Sequence, residues 1–209
     1  MNPFIVSLTG PSCAGKSTLE AKLKEAGFEA VISTTTRPPR AGEVDGQSYH
    51  FISKSEFKRL EATGYFVETV DFNGNYYGVS AYEIMRVAAK GKPIVVIVEP
   101  EGWKQVKAYC QNHDWRLFSV FIDNPGDVIA KRFIQRMIGD LKLAHLQDSL
   151  DKVGDIYAKR LGVMLKDECW WGEDMGTACD LWLHTFDERN IEEVLETIGR
   201  QAVEALSPA

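Results

Sequence analysis

Lys16 and Ser17 close the stretch Gly10-Pro-Ser-Cys-Ala-Gly-Lys-Ser17, in which every fixed position of the pattern G-x-x-x-x-G-K-[ST] is filled. Such a loop handles phosphate. Gly10 and Gly15 let the backbone come close to an anion with successive N–H groups aimed inward, and a following helix adds partial positive charge at its N-terminus. Pro11, Ser12, Cys13 and Ala14 supply the backbone between the glycines, and Thr18 follows on the helix. Lys16 can reach the β- and γ-phosphates of a nucleoside triphosphate as a point charge, and the Ser17 hydroxyl is the candidate ligand for Mg²⁺. Cys13 reads either as a reactive thiol or as a small tolerated side chain.

A second basic pair, Arg37 and Arg40, lies in Ser33-Thr-Thr-Thr-Arg-Pro-Pro-Arg-Ala-Gly-Glu-Val-Asp-Gly-Gln-Ser-Tyr49. Pro38 and Pro39 exclude a helix and stiffen the path, so both guanidiniums project from an extended segment with little freedom to lose on binding. With Tyr49 and the nearby hydroxyls they suit a dianionic phosphate, although taken alone the segment reads as a solvated basic loop. Glu68 stands on a strand-like run ahead of the Asn73-Gly74 turn signal. Buried, its carboxylate would accept from two adjacent N–H donors of a ligand; on an edge strand it is a surface glutamate.

These side chains need elements to hold them. Residues 4–8 read as an apolar strand and 18–25 as a helix with Leu19 and Leu23 on one face, which puts the glycine loop between strand and helix. Further strands are expected at 28–32, 49–52, 65–70 and from 75 to 77, with a helix over 53–63 capped by Ser53 or Ser55. Residues 81–90 read as a helix, and 92–98 form a β-branched run that suits a buried parallel strand, ending in 99–102. A helix over 103–109, a strand over 116–122, a helix over 127–137, a strand over 180–185 and a closing helix from 190 complete the pattern. Alternation of this kind predicts an α/β fold with a parallel sheet covered on both faces. Arg132 and Arg136, four apart, share one helix face.

Composition narrows the partners. The 209 residues suit a single domain, and with 44% hydrophobic and 26% charged residues no apolar run approaches the ~20 residues of a membrane span. No secretory leader pattern opens the chain, so a cytoplasmic location is expected. A formal net charge of −6 argues against a nucleic-acid surface. The four cysteines form no C-x-x-C pair and read as reduced thiols.

The phosphate loop, the run S-T-T-T-R-P-P-R-A-G-E-V-D-G-Q-S-Y-H-F, and then F-V-E and G-N-Y-Y-G resemble the guanylate kinase family over residues 4–105, and more loosely to the C-terminus. The resemblance implies a three-layer P-loop kinase fold that transfers the γ-phosphoryl group of ATP, with Mg²⁺, to a nucleoside monophosphate, GMP or dGMP first. It implies that Arg37, Arg40, Tyr49 and Tyr77 hold the acceptor phosphate, with Glu43 in the same site, while Ser33 and Glu68 read the base. A β-rich acceptor-binding subdomain is expected at 33–82 and a mobile helical lid at 126–168, on a core of 1–32, 83–125 and 169–209. Arg132, Arg136 and, beyond an insertion at 139–153, Arg160 would close over the transferred group, with Lys152 as a substitute for Arg160. No covalent enzyme intermediate is implied, and either a monomer or a homodimer is compatible.

Two positions depart from the family's pattern. The family follows Y-G with Ser or Thr, whose hydroxyl helps recognise the guanine carbonyl, whereas here Gly78 is followed by Val79, with a serine only at 80. Where the family carries D-x-D-x-x-G, this chain has Ile97, Val98 and Glu99 before Gly102, so one carboxylate remains, lengthened by a methylene. Both changes fall on the base and metal side of the acceptor pocket. They leave open a kinase retuned to another nucleoside monophosphate, a base-modified one included. In a different class stands a guanylate-kinase-like module that binds a phosphorylated or acidic peptide without catalysis, a reading that intact Lys16, Ser17 and lid arginines oppose. The pair Trp170-Trp171 reads as packing.

Overall fold

The computed structural model describes residues 2–39, 42–72, 74–143, 154–155, 157–158, 161 and 173–207. Strand β1 (Phe4–Thr9) runs through the centre, buried at all six positions. The glycine loop follows it, then α1 (Lys16–Glu25), with Leu19 and Leu23 turned inward as their spacing predicts. Short strands β2 (Glu29–Ala30), β3 (Thr34–Thr35) and β4 (His50–Phe51) lead to α2 (Lys54–Ala62) and the hairpin of β5 (Phe66–Phe72) and β6 (Asn75–Ser80). The chain continues through α3 (Ala81–Ala88), β7 (Ile94–Ile97), α4 (Pro100–Asn112), β8 (Arg116–Ile122) and α5 (Gly126–Leu143). After α5 the described elements are α6 (Glu173–Ala178), β9 (Leu181–Leu183) and α7 (Ile191–Leu206).

Five strands form one parallel sheet in the order β2-β7-β1-β8-β9. Because side chains alternate along a strand, β1 feeds two cores. Phe4, Val6 and Leu8 pack with Leu19, Leu23, Val194 and Ile198 beneath α1 and α7. Ile5 on the other face packs with Ile94, Val96, Trp103 and Val106 beneath α3 and α4. Within the run at 92–98, the β-branched residues Ile94, Val95, Val96 and Val98 are buried, feeding both sides of the sheet, for this reason.

A second sheet, ordered β4-β3-β6-β5, is built from residues 34–80. Strand β3 falls inside the segment read only as extended, because Thr34 and Thr35 pair with β4 on one side and β6 on the other. The α2 cap is Ser53, whose side chain accepts the Glu56 N–H. Phe57 of α2 stacks on Phe66 and Tyr76, with ring centroids 4.5 and 5.4 Å apart, and fixes the hairpin.

Three helices are longer than the sequence suggests, α1 by starting at Lys16 instead of 18. Helix α4 starts at Pro100 instead of 103, since proline's fixed φ and missing N–H suit the first helical turn. Helix α5 runs to Leu143, into the stretch read as an insertion. No helix among the described residues is long and apolar enough to cross a membrane.

Candidate active site

The β1–α1 loop turns sharply into its helix. Gly15, the residue before α1, has φ 109°, a conformation that side-chain-bearing residues avoid, and a Cβ there would meet the Phe186 ring at 2.9 Å. Lys16 folds its amino group onto the Gly10 carbonyl and onto that of Pro11 at 3.1 Å. The loop residues Pro11, Ser12, Cys13, Ala14 and Gly15, with Lys16, Ser17 and Thr18 of the first turn of α1, line one end of a cleft of about 1070 Å³. The other end of the same cleft is lined by Ser33, Glu43, Tyr49, Glu68, Tyr77 and Glu99, so the two phosphate-handling segments of the sequence face one cavity.

Arg37 stands behind that wall. Its guanidinium pairs with both oxygens of Glu43, at 2.8 and 2.9 Å, and lies 5.3 Å from the centroid of the Tyr49 ring. Burial acts to lower its pKa, but the Glu43 carboxylate and the Tyr77 phenol outweigh this, so the group is held above its ordinary value and stays a cation. Tyr49 and Tyr77 meet edge to face at 6.1 Å. A cation and two phenols therefore converge here, a donor set whose chemistry suits an anion.

Glu68 is 5% exposed on β5 and faces the cavity together with Glu99. Burial first, and then the neighbouring Glu99 charge, push its carboxyl up to about 8, against the pull of the Val79 backbone N–H. Gly102 of α4 makes the fit possible, since a Cβ on it would lie 2.6 Å from Glu68 Oε2. Val79 itself is fully buried in the apolar cluster with Val31 and Val98 and does not line the cleft. Ser80 does not replace it there, because its hydroxyl accepts the Glu83 N–H as the cap of α3.

Of the arginines expected over the transferred group, Arg132 and Arg136 line the cleft. Arg132 is tied to backbone: Nη1 donates to the Ala14 carbonyl at 3.1 Å and Nη2 to that of Phe186 at 2.9 Å. Arg136 is exposed at the rim. Arg40, Lys152, Arg160 and the pair Trp170-Trp171 lie outside the described residues. Sequence reading did not single out the segment Phe186, Asp187, Glu188 and Arg189, which lines the cleft beside the phosphate loop, or Asn124, whose contact with that loop spans 110 residues. Neither carries a local signal.

The family model described as guanylate kinase matches residues 1–167. Guanylate kinases of Nostoc sp. and Gloeobacter violaceus are 43% identical over 105 residues and 38% identical over 135 residues. These matches cover 49% and 63% of this chain and 53% and 64% of the relatives, so the chain spans about half to two thirds of the length of the curated relatives it matches. The crystal structure of guanylate kinase from Anaplasma phagocytophilum superposes with a TM-score of 0.64 at 23% identity, covering 99% of this chain and 88% of that one, a likeness of fold. On the family match, with the phosphate loop and Tyr49, Glu68 and Tyr77 facing one cleft, the chain belongs to the guanylate kinase family.

Proposed function

We propose that the chain transfers the γ-phosphoryl group of ATP to GMP or dGMP, giving two nucleoside diphosphates. The observation that carries this reading is the single cleft, with the glycine loop at one end and Glu68, Tyr49 and Tyr77 at the other. Two nucleotides bound there head to head would bring donor and acceptor phosphates together, and positioning with charge stabilisation is most of what phosphoryl transfer asks of a protein. Lys16 and the loop amides hold the donor phosphates. Arg37, Tyr49 and Tyr77 hold the acceptor phosphate, with Arg40 as a further donor. Arg136, and Arg160 with it, exclude water and meet the charge that develops on the transferred group. Ionised, Glu68 accepts from guanine N1–H and the 2-amino group, with Ser33 and Glu99 beside it, and a base without those donors would leave a buried carboxylate unpaired.

The donor set fits magnesium arriving with its nucleotide. Ser17 offers a hydroxyl next to Lys16 in the loop, and no group of three or more His, Cys, Asp or Glu among the described residues forms a cage of its own. When bound, the ion supplies charge neutralisation across the donor phosphates.

A coupled ADP-release assay with ATP and Mg²⁺ against ribo- and deoxynucleoside monophosphates tests the reading, with Lys16→Ala as control. Turnover confined to GMP and dGMP and lost in the control is expected. Turnover with another base only, or with none, overturns it.

A further inference from the structure

Asn124 lies two residues beyond β8, in a place where the sequence offers only an Asn-Pro boundary, yet it is 3% exposed and both ends of its amide are used. Nδ2 donates to the Ala14 carbonyl at 2.5 Å, and Oδ1 accepts the Phe186 N–H at 2.8 Å. Arg132 reaches the same two residues from α5, donating to the carbonyls of Ala14 and Phe186 and, more distantly at 3.5 Å, of Cys13. The Phe186 ring covers Gly15. Three segments far apart in the chain are thus clipped together at one peptide unit.

That unit has two ends. The Ala14 carbonyl and the Gly15 N–H belong to the same planar trans peptide and point in opposite directions. Two donors that hold the carbonyl toward the protein therefore hold the N–H toward the cleft, which Gly15 lines. In a phosphate loop the inward N–H groups are the anion site, so fixing the peptide's rotation fixes a donor for the phosphate. Left unanchored, a loop with glycine at this position can turn its carbonyl to the anion instead.

We propose that Asn124 is a positioning residue for the donor triphosphate: through the Ala14–Gly15 peptide it holds the Gly15 N–H toward the phosphates, with Arg132 as its partner on the same carbonyl. The proposal rests on the reading of this loop as the ATP site. It assigns Arg132 to the loop's backbone and leaves Arg136 as the described α5 arginine that faces the transferred group. Its reach is one-sided, because none of Asn124's hydrogen bonds goes to a residue of the acceptor pocket.

Two variants of the full chain test it. Asn124→Asp keeps the size and the oxygen that accepts from Phe186 but cannot donate to Ala14 when ionised, and Asn124→Ala removes both contacts. Binding of ATP·Mg²⁺ and of GMP is measured separately by calorimetry, with the melting temperature recorded for each variant. The Kd for ATP should rise about tenfold or more in both variants while that for GMP stays within about twofold, and the Gly15 amide proton should respond to ATP by NMR in the parent and much less in Asn124→Asp. Unchanged ATP affinity in a folded variant overturns the proposal, as does an equal loss for both nucleotides, which is what a purely structural role would give. Should Asn124→Asp not fold, Asn124→Ala decides by the same comparison. A parent chain that binds no ATP overturns the reading of the loop itself; a parent that binds ATP no better than folded Asn124→Asp overturns the positioning role alone.

Discussion

Arg37 holds Glu43 through two parallel hydrogen bonds, Nη1 to Oε2 at 2.8 Å and Nη2 to Oε1 at 2.9 Å, so the planar fork that would grip a phosphate is matched to a carboxylate of the same geometry. Arg37→Lys keeps the charge and loses the fork. The KM for the acceptor monophosphate should rise by roughly tenfold to a hundredfold, in line with the loss of a charge-assisted bidentate contact, while the KM for ATP stays unchanged. Initial-rate measurements with each substrate varied in turn check this, and a parallel rise in both constants would count against a local role.

Glu68 gives the chain a pH dependence of known sign. Its carboxyl titrates near 8 when folded and near 4.5 otherwise, so between those values the folded chain keeps a proton that the unfolded chain has released. Stability therefore falls as pH rises from about 4.5 to about 8 and levels off above. Glu68→Gln removes the titration. The variant should exceed the parent in stability at pH 8.5 by on the order of a few kcal/mol, at about 1.4 kcal/mol per pKa unit, with the gap closing toward pH 4.5. Urea melts at the two pH values measure it. If, as proposed, ionised Glu68 accepts from guanine, the KM for GMP should fall from pH 6 to pH 8, and the variant should lack that slope along with most of its activity.

What the sequence made legible was local or periodic. The glycine loop is a contiguous pattern, and the run at 92–98 declares a buried parallel strand because its five β-branched residues, Ile94 to Val98, stand between breakers. Pro100 was misread for the same reason, since proline after a strand looks like an ending until the helix that accepts it at its first turn is seen. The strand at 34–35 owes its existence to partners on both sides and has no signal of its own. In the site, Glu68 was singled out through the family resemblance, since its place before the hairpin left a buried and a surface reading open, and its burial came only with the fold. Asn124 was not, because a lone asparagine acquires its role only when β8, the glycine loop and the segment after β9 are brought together.

Val79 sits where a hydroxyl-bearing residue is the family's habit, and it packs against Val31 and Val98 without exposure. Val79→Thr is nearly isosteric but places a hydroxyl among aliphatic neighbours. The variant should lose about 1–2 kcal/mol of stability, the cost of a poorly partnered buried hydroxyl. Because position 79 is enclosed and does not line the cleft, a bound base supplies no partner for that hydroxyl, so the KM for GMP should stay within about twofold. Thermal melts with and without GMP test both halves at once: the expected result is a lower baseline with an equal rise on adding GMP in parent and variant, and a larger rise in the variant would tie position 79 to base recognition.

Gly102 shows how a single missing methyl can matter to the acceptor site. It lies in the first turn of α4, where alanine would ordinarily favour the helix by up to about 1 kcal/mol. The added Cβ, however, would stand 2.6 Å from Glu68 Oε2 and 3.5 Å from Val70 Cγ2, and the carboxylate is the neighbour able to move. Gly102→Ala should thus preserve or slightly raise the melting temperature while displacing Glu68 from its place in the pocket. The expected signature is a loss of GMP turnover of about tenfold or more with ATP binding unchanged, because a misplacement of about 1 Å suffices to weaken a positioned contact strongly. A folded Gly102→Ala that turns over GMP at the parent's rate would mean that Glu68 does not read the base from the position it holds in this structure.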